Sequence, residues 1–384
     1  MSKQTLFKTV IFSLLPCFLL LFGVELLVRI VYFQRHSQYR FGILQVFRSA
    51  QRRIMPYKIS YKAKREQAEV IADRRFEEDP ILGYRTIPGA HTVSFRIGGK
   101  TLVTREIVGA DGYRTTALNP SDYLGKPELW FFGGSYTWGY SVNNDQTFPW
   151  LIQKSVPGWR IRNLAGAGYS NLHAMLQLET AIRNGGRLPE IAVFIFDYSQ
   201  PARNAGSPSW LSVLHSAPTA GLNSIGPTMP VYRYPRALIN PEGNFSIEYV
   251  PLVEKSWKGK ADFTDSYMTE ISKIIFYRIL KLCSSHGVKP VFVLQGGSLN
   301  DPIVKYASEI GFEVHDISID FKADNGKYRN FPFDSHPSPL AHLEYYKRIL
   351  PTILRLTHET PRRSDSPASG ISASSDGTLT QLRN

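Results

Sequence analysis

No charged residue interrupts positions 9–24, and the apolar character continues through Leu26, Leu27, Val28, Ile30 and Val31. That length suffices to cross a hydrocarbon core, so the pattern predicts a transmembrane anchor within residues 1–35. Glu25 and Arg29 break the run at i,i+4 spacing, where they can pair near the interface while the arginine snorkels. No small-x-small cleavage signal follows, and Pro16 stands before Cys17 where a lipobox needs a small residue, so the span is expected to be retained.

Residues 36–126 begin as a polar, basic stretch that reads as a helical stalk to about Phe76, and a small β region follows. Positions 92–97 and 101–108 alternate apolar and polar residues on either side of Gly98-Gly99, a hairpin signal, and Asp111-Gly112 marks another turn. The pattern changes over residues 127–357, where short continuous apolar runs at 129–132, 191–196 and 291–294, with further strands at 159–164 and 312–317, alternate with helical periodicity. The helices are expected near 146–155, 171–184, 265–286 and 301–310, with a last one after Ser338-Pro339 that places Leu340, Leu343 and Leu350 on one face. Such alternation predicts an α/β three-layer sandwich, a central parallel sheet with helices on both faces. An insertion near 205–259, rich in Pro, Gly and Ser, carries Trp210, Tyr232, Tyr234, Phe245 and Tyr249. It leaves from the carboxyl edge of the sheet, where its aromatics can either wall a cleft and stack on sugar rings or pack a small core of their own. The tail, 358–384, is poor in hydrophobic residues and reads as disordered.

The 384 residues, 43% hydrophobic, can bury one full α/β core with appendages. A net charge of +13 raises nucleic acid as a partner, but Arg48, Arg52, Arg53, Lys58, Lys62, Lys64, Arg65, Arg74 and Arg75 crowd just after the anchor without interleaved aromatics. That distribution fits a solvated or phospholipid-facing surface, and no nucleic-acid partner is expected. Cys17 falls in the span and Cys283 is alone in the rest, so no intradomain disulfide is possible. Lys3 and Lys8 precede the span while Arg35, Arg40 and Arg48 follow it, a count that favours a cytoplasmic C-terminal domain.

Two segments carry the chemistry: Phe132-Gly133-Gly134-Ser135-Tyr136-Thr137-Trp138-Gly139 and Asp334-Ser335-His336-Pro337. The first puts a serine past a buried strand, where open α/β sheets bind ligands, with two glycines permitting the turn. In the second, Asp334 and His336 are two apart, a spacing that requires an extended segment if the carboxylate is to reach the imidazole. Pro337 enforces this by excluding His336 from the α region. A serine, a base and a group that holds the base's tautomer are the parts that nucleophilic acyl transfer needs.

The strings FFGGSYTWGYSVNNDQTFPWLIQ, RIRNLAGAGYSNLHAMLQLE and FDSHPSPLAHLEYYKRIL, in this order and spacing, resemble the SGNH or GDSL-type hydrolases over residues 127–355, most of all their bacterial membrane-anchored branch. The resemblance implies an SGNH hydrolase-like, flavodoxin-like sheet. It makes Ser135 the nucleophile, His336 the general base and Asp334 the group that orients the imidazole. It also implies that the backbone N–H groups of Ser135 and Gly168, or less fittingly Gly166, bind the oxyanion. Gly-Gly-Ser replaces the family's usual Gly-Asp-Ser. Where the family places an asparagine after its third strand, this chain reads Asp197-Tyr198-Ser199-Gln200-Pro201-Ala202-Arg203-Asn204, so Ser199, Gln200 and Asn204 compete for the third oxyanion donor. His173 stands where relatives often carry glutamine, either lining the cleft or serving structure, and His342 is expected to pack or cap the last helix. His315-Asp316 lacks spaced partners, so no metal is expected, and the resemblance brings no cofactor.

The activity so implied is a membrane-anchored serine esterase acting on O-acyl esters of a carbohydrate or other cell-envelope component. It would lie outside the bacterial cytoplasmic membrane, against the charge count. The same residues suit an O-acyltransferase if a sugar hydroxyl rather than water resolves the acyl-enzyme, and the altered third block leaves room for an inactive domain that binds polysaccharide during assembly.

Overall fold

The computed structural model describes residues 69–72, 75–216, 232–322 and 326–360. The chain divides into two compact units, Met1–Arg65 and Glu66–Asn384, and everything described belongs to the second. The expected anchor and most of the basic stalk therefore lie outside the described residues, as does the tail from residue 361. Among the described residues no helix is long and apolar enough to cross a membrane.

Five strands come first: β1 (Glu69–Ala72), β2 (Phe76–Asp79), β3 (Gly83–Thr86), β4 (Gly89–Ile97) and β5 (Lys100–Val108). β4 and β5 form the hairpin expected around Gly98-Gly99, β1 adds antiparallel to β4, and β2 pairs with β3. The stalk is thus not helical as far as Phe76. Pairing of β1 with the distant β4 supplies backbone partners that the local sequence does not reveal. Arg75, counted above among a surface cluster, is instead 1% exposed and ion-paired at 3.0 Å with the buried Glu106 of β5.

The remaining elements are β6 (Glu128–Phe132), α1 (Ser135–Trp138), α2 (Phe148–Ser155), β7 (Arg160–Asn163), α3 (Asn171–Arg183), β8 (Ile191–Asp197), α4 (Gln200–Asn204), α5 (Pro208–Ser216), β9 (Arg233–Ile239), β10 (Phe245–Pro251), α6 (Asp265–Ser285), β11 (Lys289–Gly296), α7 (Pro302–Glu309), β12 (Glu313–Asp316) and α8 (Pro339–Glu359). Five of these strands form one sheet in the order β7-β6-β8-β11-β12, with every neighbouring pair parallel. The chain winds from β6 out to β7, then returns to β8 on the other side. β6 and β8 therefore flank the switch point where such sheets open a crevice.

Alternation inside the continuous apolar runs divides the core. Leu129 and Phe131 face Phe148, Ile152, Tyr345 and Ile349 of α2 and α8, whereas Trp130 and Phe132 face Leu172, Met175, Ile271 and Ile275 of α3 and α6. Both faces are dry, which is why β6 and β8 read as unbroken hydrophobic strings. Ser338 caps α8, accepting from Ala341 N, with Pro339 in the first turn. The buried stripe of that helix is offset from the expected one: Ala341, His342, Tyr345, Ile349, Ile353 and Leu356 face inward, while Leu340 and Leu343 are 50% and 37% exposed. His342 and Tyr345 of that stripe both pack on the Phe148 ring of α2, at centroid distances of 6.0 Å. The helix runs two residues past the expected boundary at 357.

Candidate active site

β6 ends at Phe132, and two glycines, Gly133 and Gly134, lead the chain into α1. A Cβ on Gly133 would overlap Thr137 Oγ1, and one on Gly134 would overlap the Arg203 guanidinium, so both glycines are set by space. Ser135 is the first residue of α1 and 7% exposed. The helix ends at Gly139 in the left-handed region (φ 88°), and Asn163 of β7 donates to its Thr137 O at 3.1 Å. Arg114, following β5, donates to Trp138 O at 3.1 Å, Gly139 O at 2.5 Å and Val142 O at 2.6 Å. The segment after β5 and the central sheet thus hold the short helix that carries the serine from two sides.

The second segment arrives on the loop before α8. His336 Nδ1 lies 2.8 and 3.0 Å from the two Asp334 carboxylate oxygens, and Nε2 lies 3.0 Å from Ser135 Oγ. An ionised carboxylate only accepts, so it places the proton on Nδ1 and leaves Nε2 to accept from the serine hydroxyl. Tyr136 and Tyr140 flank the imidazole at centroid distances of 5.6 and 4.7 Å. Burial alone would raise the Asp334 carboxyl. The His336 charge and hydrogen bonds from His336, Ser141 and the Ser335 amide outweigh it and hold that carboxyl below the usual carboxylate range.

Asn330 organises this loop. Its N–H donates to His336 O at 3.2 Å, its carbonyl accepts from Asp334 N at 3.0 Å, and its amide donates to both Ser141 O and Ser141 Oγ at 2.9 Å. Ser141 is the non-glycine residue at positive φ among those described, 60°. Such a conformation persists only when its surroundings enforce it, and here both its carbonyl and hydroxyl are bonded. Neither residue was singled out in the sequence. The Asn330 link to Ser141 crosses 189 positions, so no local pattern marks it.

The loop after β7 supplies backbone donors. Gly168 has φ 77°, and a Cβ there would come within 2.6 Å of Leu214 Cδ1 and 2.7 Å of Tyr84 Oη. Among the described residues neither the Ser135 N–H nor the Gly168 N–H has a protein acceptor, whereas the alternative, Gly166, donates to Gly133 O at 3.2 Å. Tyr84 of β3 donates to Ala167 O at 2.7 Å, and Tyr234 of β9 to Gly168 O at 3.2 Å. Tyr234 and Tyr232 are 0% and 1% exposed. These two insertion aromatics pack against the loop and β2 rather than facing a sugar, Tyr232 donating to Phe76 O at 2.8 Å.

The three competing third-block residues differ in what they already hold. The Ser199 hydroxyl donates to Asp197. Asn204 accepts from Leu172 N at 3.0 Å and donates to Ser272 Oγ at 3.1 Å, and is fully buried. Gln200 accepts from Asn171 N at 3.0 Å, but its buried Nε2 has no partner among the described residues. His173 is structural: fully buried, it closes a capping box with Ser170 and stacks on Tyr169 at 4.4 Å, and burial followed by the Arg203 charge holds it down to about 3. His342 accepts from Phe148 N at 3.3 Å and is likewise held at about 3, chiefly by burial. His315 is bonded to Glu313 at 2.6 Å.

No protein-family model matches the chain, and no curated protein matches it. Solved structures similar to it include a member of the lipolytic protein G-D-S-L family from Veillonella parvula, with 15% identity over 60% of this chain and 99% of that one and a TM-score of 0.34. A psychrotrophic esterase from Pseudoalteromonas is similar at 9% identity over 61% of this chain and all of its own, with a TM-score of 0.34. An acetyl xylan esterase from Geobacillus stearothermophilus is similar at 12% identity over 60% and 96% of the two chains, with a TM-score of 0.33.

Proposed function

We propose that this chain is an SGNH-type serine esterase, anchored in the cytoplasmic membrane of a bacterium, that cleaves O-acyl esters of a carbohydrate or other envelope component outside the cytoplasm. The observation that carries the chemistry is the continuous hydrogen-bonded line from Asp334 through His336 to Ser135. Ser135 Oγ attacks the ester carbonyl as its proton passes to His336 Nε2, and Asp334 stabilises the imidazolium. The unengaged N–H groups of Ser135 and Gly168 receive the oxyanion. Collapse breaks the bond to the alcohol, which leaves with the proton from His336, and water then repeats the sequence to release the acid. The uncharged stretch at 9–24 supports the anchor, and an anchored domain facing the envelope suits an acylated polymer.

Full-length protein in detergent should hydrolyse a short-chain nitrophenyl ester, and Ser135→Ala should lower kcat at least about a thousandfold with the fold intact. Undiminished turnover by that variant removes Ser135 from the mechanism. A reporter active only outside the cytoplasm, fused to the C-terminus, should give signal. Silence there, with an active cytoplasmic reporter, reverses the location.

A further inference from the structure

Three arginines are buried among the described residues, Arg75, Arg114 and Arg203. The first two converge on the Glu106 carboxylate, at 3.0 and 4.0 Å. Arg203, 8% exposed, has no carboxylate within ion-pair distance among the described residues. Its Nη1 donates to Tyr169 O at 3.2 Å, its guanidinium lies over the Trp210 ring at 4.4 Å, and its Nε is buried without a partner. Tyr84, Tyr234 and His173, which sense its charge, are kept neutral by burial. A buried cation without an ion-pair partner is strongly unfavourable, and buried charges are as a rule met by an anion.

Its position says where that anion comes from. Nη1 sits against Gly134, the residue before Ser135, in space that any side chain at 134 would overlap. The absence of a side chain at Gly134 thus lets the guanidinium approach the residue before the nucleophile, with the partly buried Trp210 on its other side.

We propose that Arg203 recognises a carboxylate on the substrate, which makes the preferred substrate an O-acylated acidic sugar: the uronate pairs with the guanidinium while its ester lies at Ser135. The planar guanidinium fork suits a carboxylate, and its contact with the Trp210 ring restrains that fork. This inference rests on the esterase reading for the placement of the ester, but not for the binding of the acid.

The test is therefore a binding measurement that needs no turnover. Full-length Ser135→Ala protein is titrated with an O-acetylated methyl uronoside and with its uronate methyl ester, which differ by one negative charge. The free acid should bind about tenfold tighter or more, and adding Arg203→Gln should reduce that ratio to about one, while Arg203→Lys, which keeps the charge, should retain part of it. Equal affinity for the two ligands, or a preference that survives Arg203→Gln, overturns the proposal. If the acid is preferred through Arg203 but the wild-type protein cleaves neither sugar nor nitrophenyl ester, the esterase reading fails and the acidic-ligand site stands.

Discussion

The Tyr84 hydroxyl donates to the carbonyl oxygen of Ala167 at 2.7 Å, across 83 positions of sequence. That carbonyl belongs to the same peptide unit as the Gly168 N–H, and in a planar trans peptide the two point in opposite directions. Holding Ala167 O therefore aims the N–H that the proposed mechanism assigns to the oxyanion.

Tyr84→Phe removes this bond and keeps the ring, which packs edge-on against Phe76. The expected result is a fall in kcat of about tenfold with KM nearly unchanged, because the donor acts on charge that develops in the transition state. Steady-state kinetics on a variant with wild-type circular dichroism checks it. A raised KM at constant kcat would place Tyr84 in substrate binding instead.

The third-block candidates separate by what each side chain already bonds. Asn204→Ala strands Leu172 N and Ser272, so it should cost about 1–3 kcal/mol of stability. Gln200→Ala strands Asn171 N, and so also costs stability, but it alone removes a buried amide nitrogen without a partner and should in addition lower kcat roughly ten- to a thousandfold, with KM little changed. Urea denaturation and kinetics on both variants read the two effects apart. Full activity in Gln200→Ala would show that this side chain is no oxyanion donor.

His173 and His342 are both held at about 3 in the folded protein, against an ordinary value of 6.5. A depressed histidine means that the unfolded chain binds its proton first. The stability they contribute is complete above pH 6.5 and declines as pH falls through the window from 6.5 to about 3. The limiting slope is about 1.4 kcal/mol per pH unit for each histidine. Between about pH 5 and 6.5 most carboxylates are already ionised, so denaturation midpoints should rise with pH across that range. Flat midpoints there, or imidazole NMR signals from both residues titrating near the ordinary value, would contradict it.

Much of the framework was legible because it is written locally. Continuous apolar runs mark strands buried on both faces, and Ser338-Pro339 starts α8 where a cap and a first-turn proline belong. The bonds of His336 to Asp334 and Ser135 join the two segments that stand out in the sequence. What supports them was not legible. Asn330, Ser141, Arg114 and Tyr84 act through contacts between distant segments, and nothing in a single window distinguishes a tyrosine that holds a peptide from one that fills a core. Arg203 lay within the third-block string, but its lack of a carboxylate partner is a property of the assembled fold.

The central claim is that Ser135, through His336, is a nucleophile. Incubating the full-length protein with a fluorophosphonate and mapping the adduct by peptide mass spectrometry tests it directly. One adduct on Ser135, lost in Ser135→Ala and much slower to form in His336→Ala, is the predicted result. Wild-type protein that stays unlabelled while folded, or labelling that persists in Ser135→Ala, would contradict it.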